Sequence, residues 1–281
     1  VGGTMTVVTN THESGGYYGI TMNGGTITSE GAGDATGNYI LDGNITTLAN
    51  DNPSVISPRT IYLRGDGSGD IINFTVADGG AVTDLLVSAS MTQSIPIRKY
   101  GAGMAVFTGT NTLGYVFNEG GGGTLSFAGE SVNSLNGNNM RILAGGTFVI
   151  TNSATVTAGQ VFLGSVAGGN WGTINQYGGT LALTSTDATR VLTIGEYAGA
   201  TSYYNLYGGT LTVTNGTTGK TFVGWDGGGQ LNIYGGLAVL KTIEAAGTGG
   251  LLTLNGGELR VGSGGIVNSS GPVTVNLGGG T

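Results

Sequence analysis

Cysteine is absent from this chain, so disulfides, thiolate zinc sites and cysteine nucleophiles are excluded. Proline is scarce, with four in 281 residues, and glycine shows no three-residue period, which together exclude a collagen helix. Charge is scarce as well: charged residues make up 9%, against roughly a quarter in an average domain. Nine basic and 16 acidic residues leave a net charge of −7 and no basic cluster, so a counterion-releasing nucleic-acid surface is not expected. No apolar run is long enough for a membrane-spanning helix. The opening VGGTMTVV has neither the charged nor the apolar region of a secretory leader and reads as part of a mature segment. No span carries a helical period.

Glycine is in excess, with 59 residues, about three times the ordinary share. A hydrophobic share of 38% supplies apolar surface for a core, which argues against a disordered linker. A folded, turn-rich β protein remains. Gly-Gly pairs recur with the second glycine at 123, 146, 179, 209, 236, 257 and 280, giving intervals of 23, 33, 30, 27, 21 and 23. Such periods suit one solenoid coil each.

Within a coil the residues alternate, which places one set inside and the other outside. The strand before Gly-Gly reads Ile174-Asn175-Gln176-Tyr177, then Tyr204-Asn205-Leu206-Tyr207, then Leu231-Asn232-Ile233-Tyr234. After Gly-Gly, Leu181 and Leu183, Leu211 and Val213, and Leu259 and Val261 take equivalent inward positions, and Phe148 and Ile150 are expected to extend that column. A third recurring piece, VFLG at 161, LTIG at 192 and TFVG at 221, completes about three short strands per coil. The expectation is an all-β parallel β-helix over residues 1–281, with ten to twelve coils. Coils in 1–100 should be less regular, with longer loops, and those in 101–281 regular.

Residues 97–113 read IRKYGAGMAVFTGTNTL. This resembles the autotransporter-associated β-strand repeat: Lys99, Gly101, Gly103, Gly109, Asn111 and Thr112 match it in type and spacing, and Ile97 and Phe107 match as apolar positions. Ala105 and Leu113 depart from it, where leucine and an aromatic residue are usual. The resemblance implies a right-handed single-stranded parallel β-helix, exported by a bacterium and displayed outside the cell in adhesion, matrix or surface structure. It brings no catalytic residues with it.

Candidate chemistry is sparse. TTGKTF at 217–222 holds the Gly-Lys-Thr of a phosphate loop, but Thr214 stands where that loop needs glycine and a strand follows where it needs a helix. GDGSGD at 65–70 makes Asp66 and Asp70 weak candidates for calcium, since two carboxylates fall short of six or more oxygens. The remaining carboxylates form no row that would suit a glycan-cleaving pair, the cations are dispersed, and His12 has no partner set. No cofactor is implied.

The expected outward register puts Tyr177, Tyr207 and Tyr234 in one row and Asn175, Asn205, Asn232 and Asn276 in another. Like residues at β spacing stack as ladders. The chain opens and closes inside its own repeat, so its expected partner is another coil: further solenoid, or a second copy joined head to tail. These features point to a non-enzymatic extracellular fibre or adhesive layer. A carbohydrate-binding adhesin module is the alternative, and a polysaccharide-degrading β-helix the weaker one.

Overall fold

In a computed structural model the chain is an all-β parallel solenoid with three strands per coil. The structure describes residues 3–7, 19–29, 38–64, 70–119, 121–164, 171–185, 189–214 and 219–281, with backbone alone for 4–7. Among these residues there is no helix. The first face is one sheet of twelve strands, from Thr4–Val7 to Val273–Gly279. Eleven steps of about 4.8 Å make a stack roughly 50 Å long. The second face begins as a three-stranded sheet. Higher up, the second and third faces merge into one sixteen-stranded sheet, because Leu237–Ala245 rounds the corner between them without a break.

One coil shows how the sequence produces this. In Thr201–Leu206, residues 202, 204 and 206 are buried while 203 and 205 are partly exposed, as a period of two requires. Gly208 and Gly209 turn the corner, and Thr210–Val213 buries Leu211 and Val213. Lys220–Val223 closes the coil. Thr210 pairs with Thr180 below and with Leu237 above, and the whole strand keeps that register. Gly209 adopts φ +78°, where a side chain is strained, and a Cβ there would lie 2.3 Å from the Gly179 carbonyl oxygen.

Among the described residues the apolar core runs from Met22 to Leu254. Phe74, Phe107, Phe127 and Phe148 contact one another in turn, with ring centroids 5.2 to 5.9 Å apart. Each such side chain contributes about 1.5–3 kcal/mol on burial. Phe148 and Ile150, however, pair with Ile174 and Gln176 on the first face, not with the Leu181 column. Val156 and Ala158 lie under Leu181 and Leu183 instead. The cause is that Gly-Gly serves two corners: Gly145-Gly146 precedes the first-face strand Thr147–Ile150, whereas Gly178-Gly179 follows the first-face strand Thr173–Gln176. The interval of 33 therefore spans one coil plus one extra strand.

Several polar side chains inside the rod are satisfied by one another or by backbone groups. Tyr204 is fully buried and donates to Gln176 Oε1 at 2.6 Å, while Gln176 Nε2 donates to the Gly179 and Thr210 carbonyls. Asn111 Nδ2 donates to Asn133 Oδ1 at 2.7 Å and to the Gly109 carbonyl at 3.0 Å, and Asn111 Oδ1 accepts from the Met91 amide. The lysine of the repeat-like motif, Lys99, is 1% exposed and donates to the Gly101 carbonyl.

Candidate functional site

Two outer surfaces carry side chains arranged well enough to have a role. The first lies on the first face and at its Gly-Gly corner. Asn205 Nδ2 donates to Asn175 Oδ1, and Asn232 Nδ2 donates to Asn205 Oδ1, each at 2.9 Å. Strand register forces this row, since Asn175, Asn205 and Asn232 are direct neighbours. Asn276 lies on the same column but two coils above Asn232, with Thr253 between them, so the row of amides is three long there. Beside it, Tyr177 and Tyr207 stack at 4.9 Å and 8°, and Tyr207 and Tyr234 at 5.1 Å and 14°. The three tyrosines are 55%, 43% and 41% exposed. Because the rings cover one another's faces, the row presents edges and hydroxyls to solvent. Burial, then the neighbouring Tyr177 and Tyr234, raises the Tyr207 phenol above its ordinary pKa.

The second surface is on the third face, and the sequence reading missed it. Strand register lines up Arg98, Phe117, Arg141, Phe162, Thr193, Phe222 and Glu244 in one column, of which Arg98, Phe117 and Arg141 are partly exposed and the upper four are buried. Cations thus sit over aromatic rings: Arg98 over Phe117 at 4.9 Å, Arg141 over Phe162 at 5.4 Å, and Arg190 over Trp225 at 4.9 Å. Arg98 and Arg190 are paired, with Glu119 and with Glu196 at 3.1 Å, and so is Lys220, with Glu244 at 2.5 Å. Burial raises the Glu196 carboxyl above the usual range, and Arg190 and Arg141 oppose the rise. The signal was present in the sequence: aligned as IRK, VFN, MRI and VFL, the third-face strands alternate arginine and phenylalanine at the middle position. The cations expected to be dispersed are in fact partly gathered here.

The other candidates do not assemble. Asp66 lies outside the described residues, as does His12, while Asp70 is within them. Among the described residues no group of three metal-ligating side chains forms. Lys220 and Thr221 sit in the strand Lys220–Val223, with Lys220 paired to Glu244, so the Gly-Lys-Thr triplet cradles no phosphate. Five of the motif residues resembling the autotransporter-associated repeat have structural work: Gly101, Gly103 and Gly109 each leave no room for a Cβ against the Val76, Ala77 and Ala89 carbonyls, and Lys99 and Asn111 satisfy backbone groups inside the rod.

Fold and surfaces together define a parallel β-solenoid carrying ordered ladders on its exterior. Comparison with protein-family models, curated proteins and solved structures finds no match to this chain.

Proposed function

We propose that this chain is a non-enzymatic structural rod of the cell exterior, building or decorating a surface fibre, filament or adhesive matrix. The observation that carries this reading is the stacking of like on like along the rod. Asparagines bond asparagines inside at 111 and 133 and outside at 175, 205 and 232, and tyrosine stacks on tyrosine beside them. Such rows resist bending and shear between coils but bring no reacting groups together. The resemblance of residues 97–113 to autotransporter-associated repeats supports a place outside the cell. Self-association is the corresponding partner reading. Negative-stain microscopy with sedimentation over a wide concentration range tests it: rods several molecules long are expected, and strictly monomeric short rods throughout would sink self-assembly.

A second reading, a carbohydrate-binding adhesin, is favoured by the exposure of Tyr177, Tyr207 and Tyr234. Their mutual stacking limits it. Sugar rings would find open aromatic faces only at the two ends of the row.

A further inference from the structure

Of the four cations that lie over aromatic rings on the third face, one is unbalanced. Arg98, Arg190 and Lys220 each hold a carboxylate, but Arg141 has no ion-pair partner among the described residues. Its Nε is buried without a hydrogen-bond partner. Glu196, whose carboxyl Arg141 helps to hold down against the rise that burial causes, accepts its hydrogen bond from Arg190 Nη1 instead. Its guanidinium packs over the Phe162 ring and, with no carboxylate of its own, has donors for an incoming anion.

What lies around Arg141 indicates the kind of anion. One coil down, Phe117 continues the column, and Tyr115 stacks beside it with centroids 6.1 Å apart. Tyr115 is 39% exposed, and Arg98 and Tyr100 complete the patch, joined by a hydrogen bond from Arg98 Nη1 to the Tyr100 hydroxyl at 3.1 Å. Arg98, Tyr100, Phe117 and Arg141 stand on neighbouring strands of one parallel sheet and Tyr115 immediately precedes one of them, so together they offer a partly aromatic strip that carries the positive charge of Arg141. We propose that this strip, centred on Arg141 and Tyr115, binds an acidic polysaccharide, with Arg141 taking a carboxylate or sulfate and Tyr115 packing against a sugar ring. The charge complements the ligand locally in a chain whose net charge is −7, which disfavours long polyanions elsewhere on the rod. The inference rests on this site's geometry and is independent of whether the rod self-assembles.

The test is calorimetry and affinity electrophoresis of the full chain against polygalacturonate, dextran sulfate, neutral dextran and a single-stranded oligonucleotide. Binding to at least one of the two acidic glycans is expected, weakened by salt, with the two arms distinguishing carboxylate from sulfate. Arg141→Ala should weaken it about tenfold or more, Arg141→Lys should recover part of the loss, and Tyr115→Ala should weaken it further. Should Arg141→Ala lose its β spectrum, Arg141→Gln serves the same comparison. Tyr207→Ala, on the other face, should bind as the parent does. The proposal is overturned if neither acidic glycan binds, if neutral dextran or the oligonucleotide binds as tightly, or if a folded Arg141 variant keeps full affinity.

Discussion

At position 209 a single methyl group decides whether the corner closes. The residue sits at φ +78°, and its Cβ would approach the Gly179 carbonyl oxygen to 2.3 Å. Gly209→Ala should therefore cost about 2 kcal/mol or more and lower the melting temperature, whereas Gly279→Ala, with nothing within 4 Å of its Cβ, should be near neutral. Equal melting temperatures for the two variants would refute the corner argument. Three titratable residues, two inside the rod and one in its outer tyrosine row, give a second expectation. Burial, partly offset by Asp84 and Asp78, lowers Lys99 from 10.5 to about 8. Between those values the unfolded chain holds a proton that the folded chain has released, so stability rises with pH from about 8 to 10.5. Tyr204 and Tyr207 act in the opposite sense. Burial raises both phenols above 10.0, so the folded state keeps protons that the unfolded state loses, and stability falls as pH climbs past 10.0. A melting temperature that climbs above pH 8 and turns over near 10 is expected, with the climb abolished in Lys99→Met. A flat profile in the parent across the lower window would mean that Lys99 reaches water. Tyr204→Phe should soften the alkaline fall while costing about 1–3 kcal/mol, because Gln176 Oε1 then loses the Tyr204 donor inside the core.

At the scale of the element, the asparagine row is a cooperative unit. Asn205 donates downward and accepts from above, so Asn205→Ala removes two bonds and strands the amide of Asn232, which is only 6% exposed. The loss should be about 1–2 kcal/mol. In a double-mutant cycle, Asn205→Ala and Asn232→Ala should show coupling of at least about 0.5 kcal/mol, and strict additivity would show that the two amides do not interact. This row was legible in the sequence because alternation and a constant offset from Gly-Gly are both local signals, and strand pairing only had to preserve them. Phe148 was misplaced because glycine fits any tight corner, so the pair alone does not say which corner it turns. Tyr204 and Lys99 carry a polar tip that sequence alone cannot assign to core or solvent; inside the rod that tip is satisfied by Gln176 in one case and by a backbone carbonyl in the other. The Arg–Phe column escaped notice for a different reason: its members are about twenty residues apart in strands of only three or four, so no single window contains two of them.

For the whole molecule, each coil hydrogen-bonds only to the coil above and the coil below, as the order of the twelve-stranded sheet states. Stability in such a rod is close to a sum of coil terms and nearest-neighbour interface terms. A defect should then be felt locally, and its reach can be measured by amide hydrogen exchange. In Gly209→Ala, faster exchange is expected in Thr201–Leu206 and Thr210–Val213, and in the strands they pair with, Thr173–Gln176, Gly228–Ile233, Thr180–Leu183 and Leu237–Ala245. Met104–Phe107 and Thr124–Phe127, several coils away, should keep their protection. In the parent chain, the exposed strand Val273–Gly279 should exchange sooner than the buried Thr147–Ile150. If the substitution instead accelerates every strand by the same factor, the rod unfolds as one cooperative block. Rigidity would then come from the continuous phenylalanine and aliphatic core rather than from the ladders between adjacent coils, and the ladders would lose their place as the basis of the structural reading.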